Sequence, residues 1–116
     1  MKSYSTPNNI WDTVVIGGGP SGMMAAGTAA ASGRHVLLIE KNPALGKKLL
    51  ITGGGRCNVT NAEMDNKKLL AKFGKAGKFL FSAFAQWSVI DTLEFFHKHG
   101  MQTKVENELR VFTTSN

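Results

Sequence analysis

The 116-residue sequence holds a single cysteine, Cys57. No internal disulfide can staple it, a usage that fits a reducing cytoplasm. A Cys-x-x-Cys pair is equally absent, which argues against disulfide-reductase chemistry within this segment. Cys57 reads instead as a small, partly buried packing residue. Residues 1–9 are polar and lack the apolar core of a signal peptide. The apolar stretch 14–31 is broken at 17–20, so it is no membrane span. The histidines His35, His97 and His99 show no metal-ligand spacing with acids or cysteine, and no metal is expected. Repeats and low-complexity tracts are lacking. Acids are few, 8 against 14 lysines and arginines, giving a net charge of +6 and a pI near 9.7. Lys47, Lys48, Lys67, Lys68, Lys72, Lys75 and Lys78 supply much of this excess. Such a balance fits a nucleic-acid partner. However, no aromatic-interleaved basic motif stands out, and the lysines read as a solvated helix face.

What is present is concentrated in the first forty residues. Val14-Val15-Ile16 runs into Gly17-x-Gly19-x-x-Gly22, and small residues follow. A second apolar run, Val36-Leu37-Leu38-Ile39, ends in Glu40, 18 positions after Gly22. Strand, glycine turn, helix, strand and terminal acid make up the dinucleotide-binding fingerprint, which holds an ADP-containing cofactor. Gly17 permits the tight turn out of the first strand, Gly19 offers bare backbone to a pyrophosphate, and Gly22 lets helix and strand approach closely. Pro20 suits the first helical position, where its missing N–H has no helical partner. N–H groups at that helix start then face the phosphates, aided by the helix dipole. Gly33 is the expected helix stop. Glu40 is expected to bind ribose hydroxyls, so a free 2′-OH is required and NADP is disfavoured here.

The fold class implied is α/β, the N-terminal part of a Rossmann-like domain. Residues 12–16 form a buried first strand, 21–32 the crossover helix and 35–39 a parallel second strand. A complete domain of this kind needs about six strands, so residues 1–116 are expected to be one N-terminal segment of a longer chain. Asn42-Pro43 marks a turn, and 46–50 reads equally as a short helix or an extended connector. Residues 52–61 form a Gly- and Asn-rich loop. Helices are expected over 67–73, 78–87 and 89–99. The last places Val89, Ile90, Leu93 and Phe96 on one face and stops at Gly100. Residues 102–105 and 109–112 pair as a hairpin around 106–108. Trp11, Trp87 and the Phe79, Phe81, Phe84 group read as core rather than as stacking platforms.

Thr52-Gly53-Gly54-Gly55-Arg56-Cys57-Asn58 is harder to explain as structure. Each glycine costs on the order of 0.5–1 kcal/mol relative to alanine within regular structure, and a chain can keep such residues where backbone must lie against a ligand. Successive N–H groups can form an anion-binding nest. Arg56 adds a planar cationic fork for a phosphate or a ring carbonyl. Asn58 and Asn61 offer donor and acceptor pairs. A surface loop is the alternative reading of the same residues.

In its fingerprint, in Glu40-Lys41-Asn42 and in the run from Gly46-Lys47-Lys48 through Arg56-Cys57-Asn58-Val59-Thr60-Asn61, the chain resembles a bacterial flavoprotein family. That family is labelled BaiN/RdsA, NAD(P)/FAD-dependent oxidoreductases, and the resemblance covers residues 10–112. It implies that FAD is the cofactor and NAD(P)H the electron donor, with the strand–helix–strand unit on the FAD pyrophosphate and adenosine. The glycine loop would lie against the cofactor. Carried over residue by residue, the cofactor-site positions are Gly17, Gly19, Ser21, Gly22, Glu40, Lys41, Lys48, Gly54, Gly55, Arg56, Cys57 and Asn58. One departure is Phe112-Thr113, where family members tend to have Phe-Pro.

The resemblance further implies reduction of a carbon–carbon double bond, in steroid-like enones or in an RNA pyrimidine. The partner is thus a small molecule or an RNA base, and the basic balance leans toward RNA. Catalytic acids are expected beyond Asn116, and no catalytic residue is assigned. Two other readings stay open. An NAD-dependent dehydrogenase would use the same fingerprint but leave the second glycine motif without a job. A truncated, non-catalytic product would bind nothing tightly.

Overall fold

The computed structural model describes residues 10–115, and the polar lead-in 1–9 lies outside the described residues. The chain forms two compact units, Met1–Ile51 and Thr52–Asn116.

The first unit is a β-α-β crossover. Strands β1 (Thr13–Ile16) and β2 (Val36–Ile39) pair in parallel, with Thr13 opposite Val36 and Ile16 opposite Ile39. Helix α1 (Pro20–Ala31) links them and packs on both. Pro20 opens the helix as its first residue. Gly33, at φ +80, closes it by donating its N–H to the Ala30 carbonyl at 2.9 Å. The expectation of a buried first strand needs correction. Thr13 and Val15 are half-buried, whereas Val14 is 50% and Ile16 85% exposed. Side chains alternate across a strand, and among the described residues α1 covers only the face carrying Val15.

The second unit sets three helices beside a three-stranded antiparallel sheet in the order β3-β5-β4. Strand β3 (Thr60–Asn61) pairs with β5 (Arg110–Thr113), and β4 (Thr103–Glu106) pairs with β5 as the expected hairpin. The short strand β3 falls inside the stretch read as loop. Two residues are too few to show a periodicity, and β3 exists because Val59 and Ala62 also donate to Val111 and Leu109 at 2.8 and 2.7 Å.

Two of the helices, α2 and α4, begin at a side-chain cap. The Asp65 carboxylate accepts the N–H groups of Lys67 and Lys68, starting α2 (Asn66–Ala71). Ser88 and Asp91 form a reciprocal capping box at the start of α4 (Val89–Lys98). A short 3₁₀ turn at Gly74–Ala76 leads into α3 (Gly77–Gln86).

The core is Leu69 and Leu70 from α2, Val89 from α4, and Val111 and Phe112 from β5. It is not the aromatic group read from the sequence. Phe79 is 85% and Phe81 60% exposed, and Trp11 and Trp87 are also exposed, while Phe84 is half-buried. Helix α3 meets α2 where Gly77 lies against the Leu70 backbone and where the Phe84 carbonyl accepts Asn66 Nδ2 at 2.9 Å, while Phe79 and Phe81 stay exposed. In α4, Leu93 and Phe96 are half-buried on the face of the buried Val89, but Ile90 falls off that face and is exposed.

Candidate cofactor site

The first unit builds a hollow at the carboxyl ends of its two strands. Gly17 continues the parallel pairing by donating to the Ile39 carbonyl at 2.8 Å, then turns at φ +100. The turn brings Gly18 to Glu40, the residue that follows β2. The Gly18 N–H donates to Glu40 Oε2 at 2.7 Å. Glu40 Oε1 accepts the Asn42 N–H at 2.8 Å and Asn42 Nδ2 at 2.6 Å. These donors, Asn42 first and then Gly18, hold the Glu40 carboxyl below its ordinary value and keep it ionised at neutral pH. The Gly18 carbonyl in turn accepts the Gly46 N–H at 2.8 Å, which brings the Lys47-Lys48 pair alongside. The hollow measures about 370 Å³ and is lined by Gly18, Gly19, Glu40, Asn42, Lys47, Lys48 and Ile51.

These residues fit an ADP moiety, and the glycines show why. A Cβ at Gly18 would collide with Leu45, and one at Gly22 with the Gly17 carbonyl. Gly19 has neither constraint. Its φ of −75 suits any residue, and a Cβ there would meet nothing within 4 Å. The protein's own packing thus gives no reason for glycine at 19, and a ligand against the backbone does. Gly19 is also the N-cap of α1, with no side chain capping the first turn. The N–H groups of Ser21 and Gly22 lie in that turn, where an anion is favoured. The flanking lysines add positive charge and the ionised Glu40 adds acceptors. A diphosphate and an unphosphorylated ribose need this combination.

The second unit holds the glycine loop. A 3₁₀ segment, Leu49–Gly55, leaves helical geometry at Thr52, Gly53 and Gly54. Gly53 has φ +58, and a Cβ on it would stand 2.7 Å from both the Asn58 nitrogen and Phe112 Cε1. Cys57, half-buried, also has φ +58 and donates its N–H to the Thr52 carbonyl at 3.1 Å.

Arg56, next in the loop, is held on two sides. Glu106 takes its guanidinium in both carboxylate oxygens, at 2.9 and 3.0 Å. The Phe112 ring lies under it at 4.1 Å. Arg56 therefore holds the Glu106 carboxyl below its ordinary value, with a smaller contribution from Lys104 at 3.4 Å. Gly55, Arg56, Lys104 and Phe112 line a hollow of about 450 Å³.

Of the positions expected at the cofactor, Gly17, Gly19, Ser21, Gly22, Glu40 and Lys48 gather around the first hollow or the helix start beside it. Lys41 is exposed and does not line that hollow. Gly54, Gly55, Arg56, Cys57 and Asn58 belong to the second unit. Sequence reasoning missed Asn42 and Lys47 in the first hollow and Glu106 as the partner of Arg56. Asn42 carried a usable signal, an amide two residues after the acid, where it can bond back. Glu106 carried none, since it lies 50 residues from Arg56. Among the described residues no group of three or more His, Cys, Asp or Glu could hold a metal ion. None of the described helices is long and apolar enough to cross a membrane.

A profile of the HI0933-like protein Rossmann domain matches residues 11–116. The chain is 37% identical over 91 residues to the ribosomal RNA dihydrouridine synthase of Escherichia coli, covering 78% of this chain and 22% of that protein. It is 41% identical over 92 residues to the 3-dehydro-bile acid delta(4,6)-reductase of Clostridium scindens, again covering 78% and 22%. A ribosomal RNA dihydrouridine synthase of Haemophilus influenzae aligns over 94% of this chain and 25% of its own length, at 30% identity. The chain thus spans about a quarter of the length of the curated relatives it matches. With the β-α-β crossover and its glycine turn in place, this match across nearly the whole sequence shows that the chain belongs to the HI0933-like Rossmann family.

Proposed function

We propose that this chain is the ADP-binding segment of a FAD-dependent oxidoreductase that reduces a carbon–carbon double bond with hydride from NAD(P)H. The observation that carries the reading is Glu40. It is ionised, fixed by the Gly18 N–H at 2.7 Å, and set beside the uncovered backbone of Gly19. Its Oε2, which takes only the Gly18 N–H here, keeps an acceptor site for a ribose hydroxyl, and the charge repels a 2′-phosphate, which selects FAD or NAD over NADP at this hollow. Membership of the HI0933-like Rossmann family, with relatives named as reductases, supports FAD of these two.

When bound, FAD supplies a two-electron relay, taking hydride from NAD(P)H and delivering it to one carbon of the acceptor, while a proton completes the other carbon. The residues of this chain bind and orient: Glu40 the ribose, the α1 start and Lys48 the diphosphate, Arg56 a ring carbonyl or phosphate. Relatives named as a dihydrouridine synthase and a delta(4,6)-reductase support the reductive direction. They also leave two acceptor classes, a uracil base in RNA and a steroid-like enone.

Anaerobic titration of the full-length protein tests this reading. NADH or NADPH is expected to bleach the flavin band, and either uridine-containing RNA or a conjugated enone to restore it. No bleaching would contradict the donor, and recovery with oxygen alone would contradict double-bond reduction.

A further inference from the structure

Residues 66–90 contain five lysines and no acid. Lys67, Lys68, Lys72, Lys75 and Lys78 are all exposed, and among the described residues none joins a salt bridge. This charge is open to solvent and accessible to a partner. Most of it sits on α2, on α3 and on the 3₁₀ turn between them.

The two helices approach closely where Gly77 meets the Leu70 carbonyl, too closely for a Cβ. A shallow hollow of about 270 Å³ results, lined by Lys67, Leu70, Gly74, Gly77, Lys78 and Phe81. It combines two cations with an aromatic ring that is 60% exposed. Phe73 and Phe79, at 49% and 85% exposed, stand among the other lysines. The aromatics that looked like core are thus interleaved with the basic residues on one exposed hairpin.

We propose that this hairpin is a docking surface for single-stranded RNA, with an unstacked base on Phe81 and flanking phosphates on Lys67 and Lys78. An open aromatic face takes any base, and lysines track the backbone without reading sequence. An anionic membrane fits less well. Phe79 and Phe81 are two residues apart, about 200° around the helix, so they cannot insert together as one apolar face. The choice of RNA rests on the reading above, in which an RNA base is one acceptor class. The flavin site is not involved.

The test is binding of an unstructured uridine 12-mer to the full-length protein across a salt series, with flavin content measured on each sample. Lys67→Gln combined with Lys78→Gln is expected to flatten the log–log salt slope by about 1.4, at about 0.7 per lost phosphate contact on a single strand. Phe81→Ala is expected to weaken binding roughly 5- to 100-fold. Phe81→Leu, which keeps apolar bulk but loses the ring, should weaken it as well. Lys98→Gln on α4 should bind like the unaltered protein. Unchanged affinity and slope in the lysine variant would overturn the proposal. So would stronger binding to phosphatidylglycerol vesicles than to RNA, with the same residues required. Flavin content should stay normal throughout, so loss of RNA binding and failure of the flavin reading are separate outcomes.

Discussion

The Gly18 backbone N–H donates to Glu40 Oε2 at 2.7 Å, joining the middle of the glycine turn to the acid that follows the second strand. The bond spans 22 residues and closes the β-α-β crossover on its ligand side. It does two jobs. It fixes the loop against β2, and it orients a carboxylate whose Oε2 keeps an acceptor site for a ribose hydroxyl. Asn42 completes the arrangement from the other oxygen.

Glu40→Ala removes the ribose acceptor and the anchor of Gly18 together. FAD affinity of the apo full-length protein is expected to fall roughly ten- to hundredfold, the range for hydrogen bonds to a charged group. Glu40→Gln keeps the shape but loses the charge and should fall between the two. Titration by quenching of flavin fluorescence reads both. An unchanged dissociation constant for the alanine variant would remove Glu40 from the site.

Gly19 and Gly22 should separate binding from folding. Gly19→Val places a side chain in open space at φ −75, so its stability should stay within about 1 kcal/mol of the parent, while FAD retention is lost. Gly22→Val forces a side chain into the Gly17 carbonyl and should cost about 1–3 kcal/mol, as overpacking does. Thermal unfolding and flavin content of the two variants give opposite patterns if the glycine turn holds the diphosphate.

The contrast between these glycines also shows what could be read in advance. The crossover was legible because its signals are local: a β-branched run, a glycine turn, an alanine-rich helix, and an acid at a set spacing. The helix starts at Asn66 and Val89 fall within a residue of those expected at 67 and 89. The burial of α3 was not legible. Its sequence, with phenylalanines at 79, 81 and 84, has no single apolar face until Gly77 is known to touch Leu70. The strand Thr60–Asn61 and the Arg56–Glu106 pair depend on partners some fifty residues away. Such pairings are tertiary facts with no local trace.

Arg56 is held by Glu106 and by the Phe112 ring, and both charged partners remain partly exposed. Screening keeps such a pair weak as a source of stability, so Glu106→Gln should change thermal unfolding little. Its expected effect is on orientation. The visible circular dichroism of bound flavin should shift as it does in Arg56→Ala. Lys104→Ala, which leaves the bidentate pair intact, should not shift it.

The acid side of the stability profile has a defined sign. Glu40 and Glu106 are both held below their ordinary value of 4.5, and Asp91 below 3.8. Each contributes stability that is present above its unfolded-state value and is lost as pH falls through the lower folded-state value. Unfolding temperature should therefore be flat from neutral pH down to about pH 5 and fall below 4.5. Glu40→Gln should soften that fall. A decline beginning near pH 6 would point to other groups.

The Ser88–Asp91 capping box sets where α4 begins. Ser88→Ala loses the hydroxyl that accepts the Asp91 N–H at 3.3 Å and donates to its carboxylate. A cost of about 1 kcal/mol is expected, measured by chemical denaturation, with flavin content unchanged because this helix start is not part of the cofactor hollow.

The most direct measurement is the mass of the small molecule released when the full-length protein is denatured. The geometry around Gly18, Gly19 and Glu40 calls for an adenosine diphosphate with an unmodified ribose, and the account as a whole calls for FAD at close to one per chain. Recovery of FMN or NADP alone would contradict the reading of Glu40. Recovery of NAD without any flavin would keep the hollow and contradict the flavoenzyme.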